Sequence, residues 1–370
     1  MKPGWKKMTL GQVCELRYGK ALKESDRTGG GRPVFGSNGI VGHHSKTLTD
    51  GPTIVVGRKG SHGEVTYSAE ACWPIDTTYF VDSSCTSADL KWLYHCMSSL
   101  GLNQLNRAAA VPGLNREDAY RKELLLPPTE EQRRIASILD AAAALRSKRR
   151  EAIEKLDALS QSIFVEMFGG PMSNPYSYAV RELIEIIDPQ RPITYGILKP
   201  GEDTAGGVPY VRVVDMVEGG IAVDGLRRTT PEISAAYRRS LLAEDDLIMS
   251  IRGHVGRLAL VDKRAQGANI TQDTARLAIT GANPVYVLEC LRSTEMQRWM
   301  AAFTKGAAVK GINLTDVKRM PIPLPPRDLQ DRFAVRAGAA AQLRRDARSA
   351  LPTSDALFAS LQHRAFQGEL

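Results

Sequence analysis

Short apolar runs closed by Gly, Pro, Ser or Asn alternate with polar stretches from the start of the chain to about Asn106. Thr53-Ile54-Val55-Val56-Gly57, Glu64-Val65-Thr66-Tyr67 and Thr78-Tyr79-Phe80-Val81 are rich in β-branched and aromatic residues, which predicts strands. Between Ala88 and Gln104 the period changes, and Leu90, Leu93, Tyr94, Met97 and Leu100 recur at helical spacing. The same plan returns later in the chain. Pro209 to Val214 and Asp246 to Ile251 are expected strands, and Val285 to Phe303 an expected helix. Strands of this length joined by polar turns predict α+β domains dominated by a twisted sheet.

A different pattern separates them. Pro127-Pro128 is followed by Thr129-Glu130-Glu131-Gln132, which has the form of a capping box, and no Gly or Pro then appears before Gly169. The stretch predicts one helix of roughly 40 residues, about 60 Å long. Ile135, Ala142, Arg149, Leu156 and Ile163 recur every seven positions, as do Ile138, Leu145, Ala152, Leu159 and Glu166, giving a mostly apolar coiled-coil seam. The stretch from Arg327 to Phe366 carries Phe333, Ala340, Leu343, Ala347, Ala350, Leu357 and Leu361 in the same frame. Pro352 stands there in place of Glu154 and is expected to break or kink the helix, with Ser354 or Asp355 capping a restart.

These parallels are a duplication. Gly113, Asn115, Asp118, Pro127, Pro128 and Gln132 recur as Gly311, Asn313, Asp316, Pro325, Pro326 and Gln330, each pair 198 residues apart. Asp157/Asp355, Ser162/Ser360 and Phe168/Phe366 keep the offset, and roughly two positions in five are identical along it, far above chance. The expected architecture is α+β: two tandem α/β domains separated by two long antiparallel coiled-coil helices, with pseudo-two-fold symmetry. The expected boundaries are 1–126 for the first domain, 127–169 for the central helix, 170–324 for the second domain and 325–370 for the C-terminal helix.

With 370 residues, 43% hydrophobic and 24% charged, the chain has the make-up of a folded protein with two domains. Its net charge of +8 favours a polyanionic partner. Cys14, Cys72, Cys85, Cys96 and Cys290 form no C-x-x-C pair and fit buried thiols in a reducing compartment. Cys72, Cys85, His95 and Cys96 match no zinc spacing, so no metal site is expected. No apolar run approaches the ~20 residues of a membrane span, and Met1 to Leu10 has no signal-type stretch, which predicts a cytoplasmic protein without a membrane partner.

Two Gly-flanked basic loops follow strands: Gly57-Arg58-Lys59-Gly60-Ser61-His62-Gly63 and Arg252-Gly253-His254-Val255-Gly256-Arg257. Glycine lets backbone approach a phosphate, and Arg is bidentate to guanine, so Arg58, Lys59, Ser61, His62, Arg252, His254 and Arg257 are candidate DNA contacts. Arg107, Lys305 and Lys310 are candidate phosphate contacts before each proline pair, beside Arg116; Asn115 and Asn313 are expected to cap. Arg32, Asn38, His43, His44, Tyr195, Arg212, Thr271 and Gln272 are weaker candidates. No P-loop, H-E-x-x-H or G-x-S-x-G motif is present, and Asn174-Pro175-Tyr176 echoes only part of an adenine-methyltransferase strip. Asp76 and Asp273 lie beside strands without a metal-binding companion, so no catalytic residue is expected.

The run Leu126-Pro127-Pro128-Thr129-Glu130-Glu131-Gln132-Arg133-Arg134-Ile135, continuing to Ser162-Ile163-Phe164-Val165-Glu166-Met167-Phe168-Gly169, closely resembles the central conserved region of the type I restriction-modification specificity subunit, HsdS. Gly207-Val208-Pro209-Tyr210-Val211-Arg212, Ile248-Met249-Ser250-Ile251-Arg252-Gly253-His254-Val255-Gly256 and Asn269-Ile270-Thr271-Gln272-Asp273 resemble the same family. The resemblance implies two target-recognition domains, each reading half of a bipartite double-stranded DNA target, and helices that set the unread spacer. It implies that those helices dock two modification subunits through residues such as Ile135, Leu145, Leu156, Ile163, Phe333, Leu343, Leu357 and Leu361. It implies a non-catalytic chain that binds no cofactor itself, S-adenosylmethionine being held by the modification subunit, and restriction subunits that join the complex. A stand-alone two-domain DNA-binding protein, a subunit of a methyltransferase-only system, and an enzyme with an unrecognised site stay open as alternatives.

Overall fold

The computed structural model describes residues 2–105, 113–217, 219–306 and 309–370. It forms two compact units, Met1–Glu151 with Ser349–Leu370, and Ala152–Arg348. In the first unit β1 (Lys6–Thr9), α1 (Leu10–Val13), β2 (Arg17–Tyr18), β3 (Arg32–Gly36), β4 (Gly39–His44), β5 (Thr53–Gly57), β6 (Val65–Ser68), β7 (Trp73–Pro74) and β8 (Thr78–Val81) precede α2 (Leu90–Ser99). Then come α3 (Arg116–Tyr120), β9 (Glu123–Leu126) and the start of α4 (Thr129–Phe168), a single helix of 40 residues. Strands order as β2-β8-β5-β6 in an antiparallel sheet, as β4-β3-β7 in a second, and β1 pairs with β9.

The second unit follows the same plan with additions. It contains β10 (Ala179–Glu182), β11 (Thr194–Tyr195), β12 (Val208–Val211), β13 (Met216–Val217), β14 (Gly220–Ile221), β15 (Arg228–Thr229), α5 (Pro231–Ala236), β16 (Leu247–Ser250), β17 (Leu258–Leu260), β18 (Asn269–Ile270) and β19 (Thr274–Leu277), of which the ribbon β13-β14 and helix α5 are added. α6 (Pro284–Arg292), α7 (Thr294–Phe303), α8 (Leu314–Lys318), β20 (Pro321–Leu324) and α9 (Arg327–Ser349) follow, and α10 (Leu351–Gln367) returns to the first unit. Sheets β11-β19-β16-β17 and β15-β12-β18 and the pair β10-β20 match the first unit strand for strand. The register is shared: Tyr18 faces Tyr79 as Tyr195 faces Ala275, and Phe35 runs parallel to Pro74 as Val211 does to Ile270.

Each unit's core is closed by helix ends of opposite origin. In the first, Ile135 and Leu139 at the start of α4 join Trp92, Leu93 and Ala365 near the end of α10. In the second, Phe164 and Phe168 at the end of α4 meet Phe333 at the start of α9, with Tyr286 stacked 5.5 Å from Phe164. Each such ring removes well over 100 Å² of apolar surface from water, so these clusters hold the domains on the helices.

Five expectations about the elements are corrected. Gln132 does not close a capping box: its amide donates to the Pro127 carbonyl and accepts from Asp89 N–H, both at 2.8 Å, and Gln330 does the same with Pro325 and Asn283. A buried amide with two backbone partners is worth more than a reach back into solvent, because orphaned buried groups are costly. The helix expected over Val285 to Phe303 is broken at Ser293, whose hydroxyl accepts from Met296 N–H and starts α7. The expected strand from Pro209 ends at Val211.

Pro352 does interrupt the last helix, but the restart begins at Leu351, with Pro352 in its first turn where a missing N–H costs nothing. Ser354 and Asp355 are therefore inside the helix and serve the helix pair. Along α4 the row Ile135, Ala142, Leu156 and Ile163 turns inward as expected except at Arg149, which is exposed, whereas in the other row Ile138 is half-buried and Leu145, Ala152, Leu159 and Glu166 are exposed. The second inward row lies one residue on, at Leu139, Arg146, Ile153 and Ser160, and its copy runs through Ala337, Arg344, Leu351 and Phe358. Apolar counting misplaced that row because it contains arginines. Arg146 and Arg150 bind Asp355 at 2.6 and 3.2 Å in the first unit, and their copies Arg344 and Arg348 bind Asp157 at 3.8 and 2.7 Å in the second.

Candidate nucleic-acid interface

In each unit a basic loop is folded against the segment that leads to the proline pair. Arg58 N–H and Lys59 N–H both reach the Thr77 carbonyl, and Leu114 N–H reaches the Arg58 carbonyl at 2.9 Å. In the second unit Ile251 and Arg252 N–H reach Asp273, and Ile312 N–H reaches the Ile251 carbonyl at 3.0 Å. Gly63 closes the first loop onto the Gly57 carbonyl, as Gly256 closes the second onto Ser250. Lys59 is thus the counterpart of Arg252, and both side chains are exposed. The carbonyl of Asp273, rather than a carboxylate function, is what the junction uses.

An exposed tyrosine flanks each loop. Tyr18 and Tyr195 hold equivalent places at the edge of the four-stranded sheet and are 50% and 48% exposed. The glycine after each is obligatory: a Cβ on Gly19 would lie 2.1 Å from the Ile75 carbonyl oxygen, and one on Gly196 1.8 Å from that of Ile270. Around Tyr18 the guanidinium groups of Arg58 and Arg116 lie 5.2 and 5.3 Å from the ring centroid. With Lys59, Tyr79 and Asn115 they line an open hollow of about 640 Å³. Tyr79 donates to the Leu114 carbonyl at 3.2 Å, and burial, helped by Tyr18, pushes its pKa to about 12, so it stays a donor. Glu117 also lines the hollow, its carboxylate 3.9 Å from Arg116, so three cations face one anion, and that surplus of positive charge beside an aromatic plane is suited to a phosphodiester backbone and an unstacked ring.

The other candidates divide. Ser61, Arg252, His254, Arg257, Lys305 and Lys310 are exposed, and Arg257 also braces the Val213 carbonyl at 3.1 Å. His62 turns back onto its own loop, its Nδ1 3.3 Å from the Gly60 carbonyl. Arg107 lies outside the described residues. Asn115 and Asn313 cap α3 and α8, accepting from Glu117 and Asp316 N–H at 2.8 Å. Of the weaker candidates, His44 and Thr271 are buried, Arg32 pairs with Glu70 and Arg212 with Asp215, whereas Asn38, His43 and Tyr195 are exposed. Asn174 spends its amide on the Tyr178 backbone in a turn. Tyr18 was missed by sequence reasoning; the repeated Tyr-Gly dipeptide at Tyr18-Gly19 and Tyr195-Gly196 was the available signal.

Among the described residues no helix is long and apolar enough to cross a membrane, and the five cysteines are buried and unpaired. Of the docking candidates, Ile135, Ile163 and Phe333 belong to the cores, Leu156 and Leu361 are half-buried, and Leu145, Leu343 and Leu357 face outward. Core side chains offer no docking surface, which corrects the expectation for the first three.

The family model described as "Type I restriction modification DNA specificity domain" matches residues 2–155 and again 177–334, one match for each copy of the junction. The chain belongs to this family. Across 409 aligned residues it is 23% identical to the EcoBI type I restriction enzyme specificity subunit of Escherichia coli, covering 99% of this chain and 86% of that protein. The type I restriction-modification S subunit from M. genitalium has the same fold, with a TM-score of 0.65 at 17% identity, covering 98% of this chain and 96% of that one. A chain from a structure titled for complex assembly and conformational transition of the type I R-M system matches with a TM-score of 0.59 at 19% identity, covering 100% and 99%. Members of the specificity-subunit family are thus similar to this chain over its whole length.

Proposed function

We propose that this chain confers DNA sequence specificity on a type I restriction-modification complex. Each unit's basic loop engages one half of a bipartite duplex target, while the paired helices set the unread spacer and dock two modification subunits, which hold S-adenosylmethionine and carry out the methylation. Restriction subunits join the same assembly, and the chain itself performs no chemistry. One observation carries this reading: a single junction of loop, aromatic edge and helix cap is built twice, with Lys59 and Arg252 at equivalent places. Loop cations fix register on phosphates, and exposed loop side chains reach base edges in the groove. The outward leucines support docking. Leu145 and Leu343, and likewise Leu159 and Leu357, are identical across the repeat and 36–59% exposed, which supplies two equivalent apolar surfaces for two equal partners.

The test is a fluorescence-anisotropy titration of the full chain, with its modification subunits, on the duplex motif obtained by methylome sequencing of the source cell. Arg252→Ala is expected to weaken binding about tenfold and to make the slope of log K against log salt shallower by about one. Unchanged affinity, or no methylated motif that depends on this chain, counts against the reading. Purification without any modification subunit favours the stand-alone alternative.

A further inference from the structure

The two junctions share a backbone plan and differ in their exposed loop side chains, Lys59 and Ser61 against Arg252 and His254; the segment that differs most in backbone beside them is the one leaving β3 and its counterpart β12. In the second unit the chain makes a one-turn helix at Val213–Asp215 and the ribbon β13-β14 before returning on β15. In the first it makes a tight hairpin, with Gly36 opposite Gly39 and only Ser37-Asn38 between. That hairpin is held from both sides. The Ser37 hydroxyl donates to the Thr77 carbonyl at 2.7 Å, the same carbonyl that takes Arg58 and Lys59 N–H, and Arg27 donates to the Val41 carbonyl at 2.7 Å. Phe35 packs with Val55 and Cys72 beneath it.

At this braced tip two adjacent β-branched residues stay in water, Ile40 57% and Val41 41% exposed, with Asn38 exposed beside them. Resting on the DNA-binding reading above, we propose that the β3–β4 hairpin tip is a base-reading element of the first unit. Asn38 takes the N6/N7 edge of an adenine, and Ile40 and Val41 take the 5-methyl groups of thymines in the major groove. The cations of the basic loop position the duplex, and the hairpin adds discrimination at the adenine and thymines it meets. The attachment to Thr77 fixes the distance between the two, so the reader arrives pre-ordered and loses little entropy on binding.

The proposal is tested with the full chain and its modification subunits by selection from a randomised duplex pool, followed by titration on the selected motif. Ile40→Ser/Val41→Ser and Asn38→Asp are expected to lose base preference in one half of the motif only, with the salt dependence unchanged. Lys59→Ala is expected to do the reverse. Replacing thymine by deoxyuridine in that half is expected to weaken the unmodified protein about fourfold per methyl removed, and the Ile40→Ser/Val41→Ser variant not at all. The thymine-to-deoxyuridine comparison on the unmodified protein needs no altered protein, so it stands even if a variant folds poorly. A motif unchanged in both halves for the hairpin variants, or equal binding of thymine and deoxyuridine at every position of the half-site, overturns the hairpin's role and leaves DNA recognition standing. Failure of the unmodified complex to select any motif overturns DNA recognition itself and the hairpin's role with it.

Discussion

His95 on α2 is almost wholly buried, with its Nε2 2.8 Å from Asp140 Oδ1, while Lys91 holds the other carboxylate oxygen at 2.8 Å. Burial pushes the imidazole pKa below its ordinary value and outweighs the upward pull of Asp140. For Asp140, burial acts upward, yet the bonds from Lys91 and His95 hold its carboxyl below the usual carboxylate range. At neutral pH a neutral His95 therefore donates to a carboxylate. Because the folded imidazole titrates below the unfolded one, the unfolded chain takes up the proton first as pH falls. Stability is expected to be full above about pH 6.5 and to decline below it, through the lowered folded value. Thermal unfolding from pH 8 to 5 checks this: His95→Gln should flatten the decline between 6.5 and 5. Sequence reasoning noticed His95 only as an unsuitable zinc ligand, since its partner lies 45 residues away on another helix.

At the scale of elements, the phase of the helix seam decides which leucines matter. Phe333 is fully buried against Phe164 and Phe168, and Phe333→Ala is expected to cost about 3–5 kcal/mol in urea unfolding. Leu343→Lys, at a position 58% exposed, is expected to change stability by less than about 0.5 kcal/mol while weakening association with the modification subunit in co-purification. A destabilisation of Leu343→Lys comparable with that of Phe333→Ala would restore the seam read from leucines alone. The 40-residue helix itself was legible, because a run without Gly or Pro between a proline pair and Gly169 leaves the backbone few alternatives. Its phase was ambiguous because two rows one residue apart both contain apolar side chains. Only the matching of Arg146 with Asp355, and of Arg348 with Asp157, selects between them.

At the scale of the whole molecule, the duplication predicts that the two halves act independently on DNA. Lys59→Ala and Arg252→Ala touch equivalent loops in different units, so on the intact bipartite target their binding losses are expected to add within about 0.5 kcal/mol. Anisotropy titrations of the single and double variants check this, and strong non-additivity would indicate one continuous site. The sequence by itself determined the doubling, the long helices, the strands flanking each loop and the family, because these are written in periodicity, turn residues and repeated spacing. It did not determine that each unit is closed by the start of one helix and the end of the other, nor that Tyr18 joins Arg58 and Arg116. Those facts depend on contacts between residues far apart in the chain, which local pattern does not encode. Tertiary packing decides them, because it buries the apolar helix ends in each unit's core and sets Arg146 against Asp355 and Arg348 against Asp157.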